Sequence, residues 1–324
     1  ISRIQASTEG RKEELQKCIR DDLEKGLKQL VKENELALTE IKNIVISGNT
    51  TMIHLLMGYD CSSLGVYPFT PVNIGLIRGN AEEILGMKEM DAEVQILPGI
   101  SAYVGGDIVS GLFACDFDRK AEVCMLIDLG TNGEIILCNK EYGVATSAAC
   151  GSAFEGCFRT ANIFGSNIFD MLALLLKRGQ MDADGVLAEP YFESGISMGN
   201  NMKIDMETIR AFQLGKSAIL SGILMLVREI GIEFSDIAEV CIAGGFGFHL
   251  NLTNAVTLGL FPQSFQGKMK VLGNTSLEGA YLSLIEPGFI DTINRFKEKI
   301  RYVDLSNRSD FNTIYIEHLP FRTY

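Results

Sequence analysis

The sequence lacks the spacings by which cysteines usually hold metal clusters. None of its eight cysteines forms a Cys-x-x-Cys pair, and Cys124 and Cys138 lie inside apolar segments. This arrangement excludes a typical zinc site and a standard iron–sulfur ligand run. A disulfide scaffold is unnecessary in a chain of 324 residues, because that length can bury a large core. We therefore expect reduced, mostly buried thiols and a cytoplasmic protein.

Long apolar runs and an excess of positive charge are also lacking. No run reaches the roughly 18 apolar residues that a membrane span requires. The formal net charge is −12 at pH 7, which argues against nucleic acids and anionic membranes as binding partners. His54, His249 and His318 have no partner spacing, and we interpret them as structural. We therefore expect neither nucleic-acid binding nor membrane binding.

The start of the chain lacks an initiator methionine and a signal peptide. It reads Ile1-Ser-Arg-Ile4, which we interpret as the middle of a longer chain. The length of the chain favours two lobes over a single compact core.

The most informative segment that is present runs from Cys124 to Cys138. It predicts an apolar strand, a tight polar turn and a second apolar strand. The turn supplies a carboxylate, a hydroxyl and several backbone N–H groups through Asp128, Gly130, Thr131, Asn132 and Gly133. Such a set can hold phosphate and magnesium, and glycines at positions 130 and 133 allow positive φ angles. An ordinary hairpin with an Asx-type turn is the alternative interpretation.

The apolar periodicity along the chain predicts an α/β protein. Strands are predicted at 41–47, 94–97, 122–128, 133–138, 142–148, 237–243 and 311–317, with a small β element within 178–203. Helices are predicted at 8–38, from 48–51 through 57, near 80–86, within 98–114, from about 151, and at 206–229, 248–258 and 274–285. Several strands end at glycine-rich turns, which is typical of α/β proteins that bind ligands at that edge.

Four features follow one another in an informative order. A small-residue helix with Gly105-Gly-Asp107 precedes the 124–138 hairpin, and a helix begins at Gly151 after it. A strand that ends in Gly244-Gly-Phe-Gly247 comes next, followed by the segment 273–280. This order resembles the superfamily of actin, sugar kinases and heat-shock chaperone ATPases. The resemblance implies a two-lobed, actin/hexokinase-like (ribonuclease-H-like) ATPase fold with two crossing helices.

Within this superfamily the chain resembles the ATP-dependent reductive activators of corrinoid proteins. The segments that carry the resemblance are Ile1-Ser-Arg-Ile4, Ile46-Ser-Gly-Asn-Thr-Thr51, Tyr67-Pro-Phe-Thr-Pro71, Leu97-Pro-Gly-Ile-Ser-Ala-Tyr-Val-Gly-Gly-Asp107, Ile127-Asp-Leu-Gly-Thr-Asn-Gly-Glu134, Ala149-Cys-Gly-Ser-Ala-Phe-Glu-Gly156 and Ala243-Gly-Gly-Phe-Gly247. They are spread over nearly the whole chain.

The resemblance implies a modular protein with an upstream [2Fe-2S] domain, a linker and a C-terminal ATPase domain that forms a homodimer. Electrons pass from the cluster to cob(II)alamin on a partner corrinoid protein, and ATP drives the uphill step to cob(I)alamin. This chain departs from the family pattern, because the [2Fe-2S] domain and the first phosphate hairpin of the fold are both lacking. It would therefore be the part that binds nucleotide and docks the corrinoid protein, and it would not be competent alone.

The resemblance to this family also predicts three parts of the chain. Residues 1–120 would be the remainder of the first lobe with a crossing helix. Residues 121–300 would be the second ATPase lobe, and residues 301–324 a C-terminal strand segment.

The resemblance also assigns roles to the residues of the hairpin and of the first crossing helix. Asp128 would hold Mg²⁺, and Gly130, Thr131 and Asn132 would bond phosphate oxygens of ATP. Asp107 would orient a water molecule for attack on the γ-phosphate. A helix N-cap carboxylate is the alternative interpretation of Asp107.

The remaining assignments concern the adenosine and a helix start. Gly244, Gly245 and Gly247 would let the adenosine lie against the backbone. Phe246 would pack nearby, with a plain core position as the alternative. Gly151 and Ser152 would offer N–H groups at a helix start, beside Cys150, which is a candidate redox-sensitive thiol.

Two other functions stay open at this point. One is an activator of 2-hydroxyacyl-CoA dehydratases, which shares the ATPase fold but holds one [4Fe-4S] cluster between two subunits. The other is a non-catalytic module that docks on the corrinoid protein and binds no nucleotide.

Overall fold

The computed structural model describes residues 2–151, 167–199, 202–245 and 250–324. The chain divides into two compact units. The first unit comprises residues 1–118 and 275–300, and the second comprises residues 119–274 and 301–324. Residues 275–300, which the sequence analysis groups with the second lobe, thus pack in the first unit.

The first unit is built around a three-stranded sheet. Its strands lie in the order Asn43–Ile46, Glu93–Ile96, Ile77–Asn80. The first two strands are parallel, and the third is antiparallel to its neighbour. Buried side chains that include Ile53, Ile84, Val94 and Ile96 form the core beside this sheet. The strand Ile77–Asn80 was not predicted from the sequence, because Arg78, Gly79 and Asn80 are atypical of strands.

Helices cover the sheet of the first unit. They are Ser2–Ala6, Lys12–Glu33, Thr50–Met57, Ser62–Gly65, Ala81–Leu85, Gly106–Ala114, Thr275–Ile285 and Phe289–Phe296, with 3₁₀ turns at Leu38–Glu40 and Lys297–Lys299. A segment kinked at Gly10, Ser7–Arg11, joins the first two helices. Helix Thr50–Met57 begins at Asn49, whose side chain accepts a hydrogen bond from the N–H of Met52, and ends at Gly58 with φ 66°. These are the usual N-cap and left-handed C-terminal signals.

Two helices of the first unit touch at a glycine. A Cβ atom on Gly279 of helix Thr275–Ile285 would lie only 2.1 Å from the carbonyl oxygen of Ser110 in helix Gly106–Ala114. Only glycine allows this approach, so the small residues of the two predicted crossing helices do serve close packing. This contact is the physical reason why residues 275–300 belong to the first unit.

The second unit is built around a six-stranded sheet. Its strands lie in the order Met269–Gly273, Ile237–Ala243, Val123–Leu129, Gly133–Cys138, Gly143–Ala148, Ile300–Tyr302. The first three strands are parallel, and the hairpin strands from Val123 to Ala148 are antiparallel. The strands predicted at 122–128, 133–138, 142–148 and 237–243 are therefore confirmed. A small antiparallel pair, Ile196–Gly199 and Met202–Ile204, confirms the β element predicted within 178–203.

One long helix, Met206–Ile230, packs in the core of the second unit. It begins at Asp205, whose side chain caps the N–H of Thr208, and ends at Gly231 with φ 68°. Its length and apolar composition would also suit a membrane span, but 78% of its apolar window is buried inside the protein, as in the core helix of a folded domain. The other described helices of the second unit are shorter. They are Asn167–Lys177, Tyr191–Ser194, Leu252–Thr257 and Phe311–Glu317, with 3₁₀ turns at Phe234–Asp236, Gln263–Phe265 and Leu305–Asn307.

The prediction of a strand at 311–317 is wrong, since Phe311–Glu317 is a helix. Phe311, Ile314 and Tyr315 all pack against the core of the second unit. Their i, i+3, i+4 spacing is that of one helix face. The β-branched residues of this segment favoured a strand, but helical packing prevailed. Residues 301–324 are therefore not a strand segment beyond the short strand Ile300–Tyr302.

Candidate functional site

The Asp128 hairpin consists of strands Val123–Leu129 and Gly133–Cys138 and the turn 130–132 between them. The two strands pair without interruption from Cys124 opposite Cys138 to Leu129 opposite Gly133. Asp128 lies one residue before the end of its strand and is half-buried. The regular pairing fixes the backbone on which this carboxylate is carried.

The tip of the hairpin is partly closed by its own hydrogen bond. The N–H of Gly130 donates to the carbonyl oxygen of Asn132 over 2.9 Å. Thr131 and Asn132 are exposed to solvent. The polar groups predicted to contact phosphate are thus at the surface of the turn, with the Gly130 N–H already engaged within it.

Glycines 130 and 133 do not adopt the positive φ angles that the sequence analysis expected. A Cβ atom on Gly133 would instead lie 1.8 Å from Cδ1 of Ile219 in the long helix. Gly133 is therefore required because the helix packs directly against the backbone of the hairpin. Sequence reasoning missed Ile219, because this contact joins segments that are distant along the chain.

Cys150 is buried beneath the turn of the Asp128 hairpin. Its thiol lies 3.5 Å from the carbonyl oxygen of Gly130 and 3.4 Å from that of Thr131. Gly151 follows in a left-handed conformation, with φ 63°, and is exposed. Ser152 lies outside the described residues. The segment after strand Gly143–Ala148 is therefore tied to the hairpin turn through one thiol.

The Gly244 turn follows strand Ile237–Ala243 and lies beside the Asp128 hairpin. Ala243 pairs with Asp128 in the parallel ladder, so the next residue, Gly244, reaches the end of the Asp128 strand. A Cβ atom on Gly244 would lie 2.6 Å from the carbonyl oxygen of Leu129 and 2.7 Å from Oδ1 of Asp128. Gly244 has φ 90°, and its N–H donates to the carbonyl oxygen of Gly273 over 3.0 Å.

The rest of the predicted adenosine turn is only partly described. Gly245 is exposed, and a Cβ atom there would have no neighbour within 4 Å among the described residues. Phe246 and Gly247 lie outside the described residues. The structure therefore brings together Asp128 and Gly244, two residues that the sequence analysis placed in one site.

Asp107 lies in the first turn of helix Gly106–Ala114 in the first unit. The N-cap of this helix is Gly105, so the alternative interpretation of Asp107 as the N-cap is wrong. Oδ1 of Asp107 accepts a hydrogen bond from the N–H of Ile108 over 3.0 Å. Burial raises the pKa of the Asp107 carboxyl, and hydrogen bonds from the backbone N–H groups of Ile108 and Asp107 offset part of that effect. The neutral acid is thus favoured relative to an exposed aspartate.

The start of the Asp107 helix lies against the turn before helix Thr50–Met57. A Cβ atom on Gly105 would lie 2.7 Å from the Cα atom of Asn49 and 2.8 Å from the carbonyl oxygen of Gly48. The N–H of Asp107 donates to that same Gly48 carbonyl over 3.3 Å. The sequence marked both turns as glycine-rich helix starts, but it gave no signal that they touch.

The donor groups of the second unit suit a magnesium nucleotide. Among the described residues, no group of three or more His, Cys, Asp or Glu side chains could hold a metal ion by itself. Magnesium in nucleotide sites needs only one or two carboxylates, because phosphate oxygens and water complete its shell. The Asp128 carboxylate next to a glycine turn without side chains fits that requirement.

Comparisons with known proteins match both parts of the chain to one family. Residues 1–120 match the model described as "RACo middle region". Residues 122–161 and 157–323 match the model described as "C-terminal domain of RACo the ASKHA domain". These matches confirm the resemblance drawn from the sequence and the actin and sugar-kinase type of fold. An ASKHA domain is an ATPase-type domain, so the match implies ATP binding.

Two related proteins of known function agree with the family models. The corrinoid activation enzyme RamQ of Eubacterium limosum is 26% identical, over 99% of this chain and 63% of its own length. The [Co(II) methylated amine-specific corrinoid protein] reductase of Methanosarcina barkeri is 21% identical, over 89% of this chain and 64% of its own length.

A solved structure is similar over the whole chain. The reductive activator for corrinoid,iron-sulfur protein superposes with a TM-score of 0.87 at 28% identity, covering 100% of this chain and 60% of that one. The chain thus spans less than two thirds of the length of each of these relatives. By the two family models that together cover almost all of its length, the chain belongs to the RACo family.

Proposed function

We propose that this chain is the nucleotide-binding part of an ATP-dependent activator that reduces a corrinoid protein from cob(II)alamin to cob(I)alamin. The functions of the related proteins, which activate or reduce corrinoid proteins, support this proposal. The observation that carries it is the contact between Gly244 and Asp128 at the ends of two parallel strands of an ASKHA domain. Ligands of open α/β sheets bind at that edge.

In the proposed site, Asp128 holds Mg²⁺ directly or through water. Gly130, Thr131 and Asn132 would bond phosphate oxygens at the exposed turn. The lack of a side chain at Gly130 and Gly133 would let a phosphate approach the backbone. The bound metal supplies positive charge that neutralises the phosphate oxygens. Gly244, Gly245 and Gly247 would let the adenosine lie against the backbone, and Phe246 would pack nearby. Gly151 and Ser152 offer further N–H groups.

Asp107 is proposed to orient the water that attacks the γ-phosphate. The burial that raises the pKa of its carboxyl also makes the carboxylate a better proton acceptor than an exposed aspartate. Phosphoryl transfer depends mostly on positioning and charge stabilisation, so the location of Asp107 matters more than its basicity.

The electron is proposed to come from a [2Fe-2S] cluster in an upstream domain. In this proposal the upstream cluster would supply one electron that reduces Co(II) of the partner's corrinoid to Co(I), and ATP would supply the driving force. The corrinoid protein is the proposed partner, and a homodimer through the Asp128-bearing unit in the cytoplasm is the proposed assembly. Neither nucleic acid nor membrane has a part in this proposal.

Calorimetric titration with Mg²⁺ and a non-hydrolysable ATP analogue tests the nucleotide site. We expect the wild-type chain to bind and Asp128→Ala to lose binding. Glu122→Ala is the matched control, because Glu122 is an exposed acid at the opposite end of the same hairpin, and we expect it to bind as the wild type does. Equal binding by Asp128→Ala would overturn the role of Asp128. No binding by the wild type would mean either that the missing first phosphate hairpin is indispensable or that the chain is only a docking module. Repeating the titration with the upstream strands restored separates these two outcomes.

A further inference from the structure

Three serine hydroxyls from three separate elements meet in the first unit. Ser47 follows strand Asn43–Ile46, while Ser110 and Ser276 lie in the two helices that touch at Gly279. Oγ of Ser47 lies 2.9 Å from Oγ of Ser110 and 2.9 Å from Oγ of Ser276. Ser110 is fully buried, so water cannot replace its partners.

The direction of these hydrogen bonds follows from the number of protons. Each hydroxyl donates one hydrogen bond and can accept others. Oγ of Ser110 donates to the carbonyl oxygen of Asp107 over 2.9 Å, which is shorter than its 3.3 Å approach to the carbonyl oxygen of Ser276. Ser110 therefore accepts from Ser47, and Ser47 in turn accepts from Ser276. The result is one directed chain from Ser276 through Ser47 and Ser110 to the backbone of Asp107.

Residues 47–48 also bind the backbone N–H of Asp107. Gly48, the residue after Ser47, accepts the hydrogen bond from the N–H of Asp107. Both the N–H and the C=O of Asp107 are thus anchored to residues 47–48, one directly and one through Ser110. A shift of Ser47 would move both anchors together.

We propose that Ser47 is a positioning residue for Asp107. In this role it acts by fixing the backbone from which the Asp107 carboxylate projects. This inference rests on the role proposed above for Asp107. The nucleotide contacts proposed in the second unit are independent of Ser47, so loss of its hydroxyl should slow turnover without weakening nucleotide binding.

Four variants, each made in this chain with the upstream strands of the fold restored, test the inference through ATP hydrolysis and binding of the ATP analogue. We expect Ser47→Ala to lower kcat about tenfold, since small misplacements of a reacting group cost on this order or more. The Kd for the analogue should stay unchanged. Ser47→Thr keeps the hydroxyl and should restore kcat to within about threefold of the wild type. Ser283→Ala is the matched control, because Ser283 is a buried serine of helix Thr275–Ile285 whose hydroxyl donates to the Gly279 carbonyl oxygen of its own helix.

The outcomes separate this inference from the proposed function. If Asp107→Asn lowers kcat while Ser47→Ala does not, the positioning role alone is overturned. If Ser47→Ala and Ser283→Ala lower kcat equally, the serine has a general structural role and the inference fails. If Asp107→Asn leaves hydrolysis unchanged, or the wild type hydrolyses no ATP, the proposed role of Asp107 and the inference both fail.

Discussion

Gly244 lies so close to Asp128 that there is no room for a methyl group between the two residues. The missing Cβ atom of Gly244 would be 2.7 Å from the Asp128 carboxylate and 2.6 Å from the carbonyl oxygen of Leu129. The parallel pairing of Asp128 with Ala243 produces this approach. The carboxylate and the glycine turn are therefore a single structural unit, and a change in one affects the other.

Gly244→Ala should abolish binding of the magnesium–ATP analogue. Alanine would clash with the backbone and the carboxylate, and it would also be strained at φ 90°. Gly267→Ala is the matched control, because Gly267 lies in the same unit with a similar φ of 79°, outside the proposed site, and its Cβ atom would have no described neighbour within 4 Å. Calorimetry of both variants checks the prediction, and binding by Gly244→Ala comparable to that of Gly267→Ala would contradict it.

Gly133→Ala should destabilise the second unit, and shortening Ile219 should rescue it. The new methyl group would overlap Cδ1 of Ile219 at 1.8 Å but would be 3.3 Å from Cγ1. Overpacking of this kind costs about 1–3 kcal/mol. Ile219→Val removes Cδ1, so the double variant should recover much of the loss.

Urea unfolding of the wild type, both single variants and the double variant measures the coupling between these two residues. Additive losses in the double variant would show that Gly133 is required for another reason.

His54 should make stability depend on pH between 7 and 5. The buried ring accepts the Val72 N–H at Nε2 over 2.9 Å and contacts the Thr50 carbonyl oxygen at Nδ1 over 2.8 Å. It must therefore be neutral with the proton on Nδ1. Burial lowers the pKa of His54, and the bond to Thr50 offsets part of this effect.

Because the pKa of His54 is lower in the folded state, the unfolded chain binds the proton first as pH falls. Stability should decrease below about pH 6.5 by at most about 1.4 kcal/mol per pH unit. The slope should be smaller in His54→Gln, while His318 titrates in both proteins. Unfolding free energies at pH 7, 6 and 5 test this, and parallel curves would contradict it.

Lys216 should make the protein more stable as pH rises from 7 to 9. It is fully buried in the long helix, where its Nζ donates to the Pro320 carbonyl oxygen and lies 5.6 Å from the ring centroid of Phe321. Burial lowers the pKa of Lys216 to about 7. Between this value and the unfolded pKa of about 10.4, the unfolded state binds more protons, so stability rises with pH.

The gain should approach about 1.4 kcal/mol per pH unit and be missing in Lys216→Met. Urea unfolding of the wild type and the variant at pH 7, 8 and 9 measures this difference. Equal slopes would show that the amine keeps its proton in the folded protein.

The Asp128 hairpin could be predicted from the sequence because its signals are local. Apolar strands and a polar glycine turn occupy one continuous segment, and the predicted and observed strand bounds differ by at most one residue. The order of the glycine turns along the chain also indicated the fold family. The predictions that were wrong concern residues whose conformation depends on contacts with distant segments of the chain. Gly133 was expected to provide a positive φ angle, but the close packing of Ile219 explains why this position has no side chain.

The C-terminal helix Phe311–Glu317 shows the same limit. Its β-branched residues favoured a strand locally, and only packing against the second unit selects the helix that buries Ile314 and leaves Ile316 63% exposed. The hydroxyl chain through Ser47 could not be found either, because its three serines come from distant segments.

The discontinuous first unit has a consequence for protein synthesis. The helix that carries Gly279 is translated after residues 119–274, although its partner Ser110 is made long before. During synthesis on the ribosome, the Asp107 helix therefore cannot pack against helix Thr275–Ile285 until most of the second unit has emerged. That unit in turn lacks residues 301–324 until they too have been translated. Since domains generally fold as units during synthesis, the first unit cannot complete its native packing before residue 300 has been made, nor the second before residue 324.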